Sequence, residues 1–314
     1  MTVGGFSTTP VYARGALYGL AAVCLWAAFI VVSRLGVRAD LTPWDVVAIR
    51  CFVSGILLAP YVVKNGLALD RLGWGGVAAV VFGCGAPPVL LVSAGLLFAP
   101  AAHAGALYPG SRPVFVALLA RFVLRDRLTA TTWAGIALIV SGVIAIVWSS
   151  GGRIDAAQSV GDGLFLLAGA AWACFTVAMR RADVGGLHAA AIAAVGSFLL
   201  YLPPYALLAR TTVLAAPLSA ILLQAVVQGV LTAIVALFLY GRAVALLGAT
   251  RGAAFVALTP AATAIMAIPV LGEWPTAAVW LSIVLISAGV YVLSGARPAT
   301  AARIASATDL RGAP

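Results

Sequence analysis

Ten apolar runs follow one another through this sequence, at residues 15–33, 46–63, 74–98, 103–123, 129–149, 161–179, 187–209, 219–241, 249–271 and 276–295. Each is close to the length, about 20 residues, that an α-helix needs to cross a hydrocarbon layer. Only 9% of the 314 residues are charged and 63% are apolar, with mean hydropathy +1.11. A soluble protein carries about 25% charged residues, so this chain cannot clothe a surface in water. Classes that need a large polar body, such as cytosolic nucleotide-binding enzymes and DNA-binding proteins, are disfavoured. The expected fold class is all-α integral membrane, with ten transmembrane helices.

The net charge of +10 then reads as a topology signal, because loops on the cytoplasmic side are enriched in Lys and Arg. With the N-terminus inside, thirteen basic residues fall on the inner side: Arg14, Lys64, Arg71, Arg121, Arg125, Arg127, Arg180, Arg181, Arg242, Arg251, Arg297, Arg303 and Arg311. Four fall outside, Arg34, Arg38, Arg153 and Arg210, while Arg50 and Arg112 lie within runs. Both termini are therefore expected in the cytoplasm. Cys24, Cys51, Cys84 and Cys174 all sit in apolar stretches without metal or redox spacing, and read as small buried residues. The first run is too long for the apolar core of a cleaved signal peptide and is taken as the first membrane helix.

The two halves repeat. Leu25-Trp26-Ala27-Ala28-Phe29 aligns with Ala171-Trp172-Ala173-Cys174-Phe175 at an offset of 146, and the following Arg34 with Arg180. At an offset of 147, Val123-Leu124-Arg125-Asp126, Thr129, Trp133 and Gly142 align with Val270-Leu271-Gly272-Glu273, Thr276, Trp280 and Gly289. Pro113 with Pro260 and Gly105 with Gly252 keep that offset. Trp, Pro and acidic residues are rare here, so the matches are hard to obtain by chance. The implied layout is a first five-helix repeat at 1–149, an external linker at 150–160, a second repeat at 161–295 and a cytoplasmic tail at 296–314. An odd number of helices per repeat turns the second half over, and inverted repeats are the architecture of alternating access.

This duplicated pattern resembles the EamA-type drug/metabolite transporters over nearly the whole chain. It consists of a Trp in the first helix, a Pro in the middle of the fourth, a short charged turn and a Thr-x-x-x-Trp fifth helix. Gly272-Glu273-Trp274-Pro275-Thr276 resembles the acidic turn these proteins place before their last helix, and Arg50 the Arg at the head of their second. Asp126 stands where Glu is commoner. Within the superfamily the chain is most similar to bacterial amino-acid exporters of the YddG type. The resemblance implies a ten-helix fold in the inner membrane and a central cavity lined chiefly by helices one, three, four, six, eight and nine.

Arg112 is the most informative side chain. An Arg at a membrane-helix centre costs about 2.5–3.5 kcal/mol, and all nine Asp and Glu are read at loops or helix ends. Either the carbonyls freed by Pro109 and Pro113 bind the guanidinium, or it faces the cavity and pairs with a carboxylate on the cargo. Pro88, Pro109, Pro113 and Pro260 are the expected helix breaks or hinges. Aromatics in equivalent positions of the repeat, Trp26 with Trp172, Phe29 with Phe175 and Tyr108 with Phe255, are candidate cavity aromatics, each with ordinary packing as the alternative. Gln224 and Gln228 lie on one helix face with Tyr240 beyond them, either toward the cavity or bonded to a neighbouring helix. His103, near the outer end of the fourth run, is the remaining candidate. Ser111 and His103 are about 12 Å apart along a helix, too far for a catalytic dyad, and no metal-binding motif is present.

The expected function is transport of small metabolites, most of all amino acids, including aromatic or other apolar ones, with export as the direction the resemblance implies. Movement is expected down the cargo's own gradient, because no membrane carboxylate is seen to carry a coupling proton. Another small anion, such as a phosphate ester or nucleotide sugar, is the alternative cargo, and a passive channel is the alternative outside transport. No cofactor, metal or nucleic acid is called for. The bilayer and a small molecule are the expected partners, with the protein a monomer.

Overall fold

The computed structural model describes residues 10–38, 41–148, 155–208 and 212–295. These residues form α-helices with no strand among them. In chain order they are α1 Pro10–Arg38, α2 Pro43–Asn65, α3 Leu69–Cys84, α4 Ala86–Gly95, α5 Ala101–Val123, α6 Ala130–Val147 and α7 Ala156–Ala182. There follow α8 Gly186–Leu208, α9 Leu218–Gln224, a π-helical stretch Ala225–Val235, α10 Ala236–Leu247, α11 Ala249–Val256, α12 Thr259–Leu271 and α13 Ala277–Leu293. Eight helical stretches are long and apolar enough to cross a membrane, and the shorter Ala277–Leu293 is also apolar. Large apolar side chains such as Leu17, Val63, Trp74, Phe122, Leu199 and Leu281 are exposed around the bundle. A coat of that kind suits lipid rather than water.

Three of the expected runs are interrupted. The third breaks at Gly85 into α3 and α4, with Pro87 and Pro88 in the first turn of α4, where a missing N–H costs nothing. The ninth breaks into α11 and α12, with Pro260 in the first turn of α12. The eighth winds into the π stretch between α9 and α10. Pro109 and Pro113, by contrast, lie inside one continuous helix. Nearly every residue of α5 from Ala101 to Ser111 is buried, and packing on all sides holds a proline-containing helix together.

Part of the expected linker is also helical. Asp155 caps α7 by accepting from the N–H groups of Ala157 and Gln158 (2.9 and 3.4 Å), so the polar residues up to Ser159 form a helix's first turn. Gly151, Gly152, Arg153, Arg210 and the tail from 296 onward lie outside the described residues.

Local geometry carries the repeat as well. The turn after α5 places Arg125 at φ 59° and bonds Asp126 N–H to the Ala120 carbonyl (3.3 Å); the turn after α12 places Gly272 at φ 67° and bonds Glu273 N–H to Ala267 (3.4 Å). Thr129 and Thr276 then cap α6 and α13 in the same way, accepting from Thr132 and Val279. The two capped helices cross tightly. A Cβ on Gly289 would come within 2.7 Å of the Gly135 carbonyl, and one on Gly142 within 2.9 Å of the Ser282 carbonyl. The 147-residue offset relates Gly135 to Ser282 and Gly142 to Gly289, so the crossing is nearly symmetric and depends on small residues.

Candidate functional site

Contacts between helix ends define two ends of the bundle, each with its own ionic tie. At one, Glu273 accepts from Arg34 Nε (2.9 Å), Arg38 Nη2 (2.6 Å) and the Ala101 N–H at the start of α5 (2.7 Å). Arg34 Nη1 also donates to the Leu96 carbonyl. Arg34 and Glu273 are only 14% and 12% exposed. At the other end, the repeat-related Arg180 and Asp126 meet at 3.0 Å with 47% and 42% exposure. There too, Arg71 approaches Asp183, and His188 bonds the Gly66 carbonyl. The Glu273 end is thus drawn together by a cluster centred on one shielded carboxylate, with Arg34 shielded and Arg38 43% exposed, and the Arg180 end by single surface pairs.

Between the ends lies a cavity, partly open to solvent, with about 900 Å³ of empty space in and above it. Trp26 and Phe29 of α1, Tyr108, Pro109 and Arg112 of α5, and Trp172 of α7 line it. The broken segments contribute Cys84, Gly85 and Val89, Thr232, and Val256 and Thr259. Beyond the six helices expected, α2 adds Arg50, Cys51 and Ser54, and α8 adds Ala190, Ala193 and Ser197. Ala190 lies near the start of α8, so the lining extends from the middle of the bundle toward the Arg180 end.

Two guanidiniums set the chemistry of this space. Arg112 Cζ sits 3.8 Å from the Tyr108 ring centroid and 4.0 Å from that of Trp172, a cation–π contact on each side. Its Nε is buried without a hydrogen-bond partner. Arg50 donates through Nη1 to the Gln228 carbonyl (3.0 Å) and Thr232 Oγ1 (2.9 Å), with Cζ 5.5 Å from the Phe29 ring centroid. No Asp or Glu is among the lining residues. The starts of α4 and α12 also reach the cavity, at Gly85 and Thr259, and helix N-termini carry partial positive charge. Ser197 Oγ takes one of these orphan donors, the Ala86 N–H, at 2.9 Å. The arrangement can hold an anion flanked by aromatic surface.

Six of the residues singled out from sequence, Arg112, Tyr108, Pro109, Trp26, Phe29 and Trp172, meet in this lining. The others lie outside it. Gln224 donates to the Val32 carbonyl (2.7 Å), and Gln228 to the Phe29 carbonyl (3.1 Å) and Ser33 Oγ (2.7 Å), so both fasten the eighth segment to α1. Tyr240 packs on Trp26, with centroids 5.3 Å apart, and the Phe255 ring lies against Gly19. His103 is buried against Asp162, its Nδ1 2.9 Å from Oδ1. That pair corrects one expectation: Asp162 is no end residue but sits on the second turn of α7, 3% exposed. Arg50 was readable as a cavity residue by the argument applied to Arg112, since it too interrupts an apolar run.

A sequence profile described as the EamA-like transporter family matches residues 13–148 and again 159–295. Seventeen solved chains match in structure. One of them, a crystal structure, superposes with a TM-score of 0.60 at 19% identity, over 89% of this chain and 96% of the other. That likeness speaks to fold. No curated protein matches the sequence significantly.

Proposed function

This chain belongs to the EamA-like transporter family, a multi-pass membrane transporter of small molecules, and from that premise we propose that it exports amino acids with apolar or aromatic side chains. The observation that carries this reading is Arg112, charged, wedged between aromatic rings and lacking any carboxylate in its cavity. A cargo carboxylate completes it, and Trp26, Phe29 and Trp172 receive the side chain. Pro113 removes the N–H that would bond the Pro109 carbonyl, and Pro109 lines the cavity, leaving an acceptor for the cargo ammonium.

The same reading includes ten spans in two inverted five-helix repeats and both termini in the cytoplasm of a bacterial cell, in the manner of YddG-type exporters. The Arg180 end then faces inward, and the unequal ties leave the cavity offered to that side. Arg50 and the two helix starts support a second reading, a cargo with more negative charge such as a sugar phosphate. Counterflow in proteoliposomes, screened with the twenty amino acids and a set of sugar phosphates, tests both. Saturable exchange of apolar amino acids is expected. Exchange of sugar phosphates alone establishes the second reading, and flux that never saturates establishes a channel.

A further inference from the structure

The turn joining α5 to α6 carries charge that its counterpart in the other repeat lacks. At the 147-residue offset, Arg121, Arg125 and Arg127 stand where the end of α12 and the turn after it have Ile268, Gly272 and Trp274. Arg125 holds φ 59°, a left-handed backbone that strains any residue with a Cβ and that Gly272 adopts freely at 67°. Strain kept at an exposed position points to a use for the side chain.

The three arginines are exposed, as is Arg181 at the end of α7, and among the described residues none of the four has a carboxylate partner. Asp126, between Arg125 and Arg127 in the chain, is engaged by Arg180, and Asp183 by Arg71. The bond from Asp126 N–H to the Ala120 carbonyl curls the turn back over the last turn of α5. Arg121, Arg125, Arg127, Arg180 and Arg181 thus share one corner of the bundle with a single engaged carboxylate, Asp126.

This corner borders the apolar zone. Only residues 124–129 separate α5 from α6, and α6 is among the stretches apolar enough to cross a membrane. Phe122 is 80% exposed just before the turn, and Trp133 is 54% exposed in the first turn of α6. Tryptophan is enriched at the headgroup level of a bilayer, and guanidinium is the planar donor that matches phosphate oxygens. We propose that the corner binds the phosphate of an anionic phospholipid, with Arg125 and Arg127 on the headgroup and Phe122 and Trp133 beside its chains. Orienting the chain during insertion calls for positive charge anywhere in the loop and gives no reason to hold Arg125 in a strained conformation. The proposal goes beyond the cargo assignment and requires neither that assignment nor a cytoplasmic placement of this end.

The test places the protein in nanodiscs of phosphatidylcholine mixed with phosphatidylglycerol, with one lipid or the other brominated on its chains to quench nearby tryptophan. The part of the signal that Trp133→Phe removes reports lipid at this corner. In wild type that part should show phosphatidylglycerol favoured about tenfold or more, since each Lys or Arg beside an anionic headgroup contributes about a factor of five. Arg125→Gln combined with Arg127→Gln should lower the preference at least about fivefold. Lys64→Gln combined with Arg242→Gln takes the same charge from α2 and α10, whose main packing partners do not include α5 or α6, and should leave it within about twofold. Quenching by brominated phosphatidylcholine alone should be unchanged in both variants, as expected of substitutions at exposed positions that leave the fold intact. Equal affinity for the two lipids in wild type, equal losses in the two double variants, or displacement of phosphatidylglycerol by inorganic phosphate overturns the proposal, the last by assigning the corner to a soluble anion.

Discussion

Replacing Arg112 by Gln separates a cargo-binding guanidinium from a structural one. A buried charge-assisted pairing is worth about 1.5–3 kcal/mol per hydrogen bond, so losing a carboxylate contact should cost cargo binding about 2–4 kcal/mol, or roughly 30- to 700-fold in KM. The fold should feel little. Cation–π contacts with Tyr108 and Trp172 stabilise by about 1–2 kcal/mol, but the same substitution removes a buried cation whose Nε lacks a partner, a penalty of similar size. The net change should fall within about 1 kcal/mol, or about 3 °C in unfolding temperature. Arg50→Gln is the contrast, because it severs bonds from α2 to Gln228 and Thr232 and should lose about 2 kcal/mol of stability as well as transport. Tryptophan fluorescence during heating gives the first quantity, and proteoliposome uptake of phenylalanine against its amide gives the second. If Arg112→Gln unfolds as early as Arg50→Gln, or still prefers the acid over the amide as wild type does, the assigned role is refuted.

Four further outcomes follow from the repeat-related contacts. Glu273→Gln weakens a shielded cluster that engages both Arg34 and Arg38; reactivity of Cys84 toward an impermeant thiol reagent from that side should rise about tenfold or more. Asp126→Asn, in a pair nearly half exposed, should change reactivity from the opposite side by less than about threefold. Arg125→Gly, at φ 59° with an exposed side chain, should raise the unfolding temperature by about 2–4 °C through relief of a left-handed residue, and Gly272→Arg should lower it. Gly289→Val drives a side chain into the Gly135 carbonyl and should cost about 3 kcal/mol or more, read as loss of the monodisperse peak in size-exclusion chromatography.

What was legible in the sequence was whatever depends on composition or short spacing. Apolar runs located the helices to within a few residues, and rare residues at constant offset exposed the duplication because nothing else in an Ala, Val and Leu background could mask them. Arg112 stood out for the same reason, and Tyr108, four residues earlier, had to share its helix face. Trp172, sixty residues on, could be suspected only through the repeat. The π stretch left no trace in hydropathy. Gln224 and Gln228 were correctly placed on one face, but which neighbour that face meets is a tertiary fact. Asp162 was misread because a polar first turn resembles a loop, and its partner His103 lies 59 residues away.

The inequality of the two ionic ties has a kinetic corollary. A carrier that spends most of its time closed at Glu273 presents a competent site to solute on that side for only a small fraction of the time, and apparent affinity there falls by the same fraction. A bias of about 2 kcal/mol would weaken half-saturation roughly 30-fold relative to the Arg180 side. In an uncoupled carrier the ratio of maximal flux to half-saturation must be equal in the two directions, or it would pump at equilibrium. In a carrier of that kind, high affinity on the Arg180 side comes with a low ceiling on flux from that side, set by how often the Arg34–Glu273 cluster lets go.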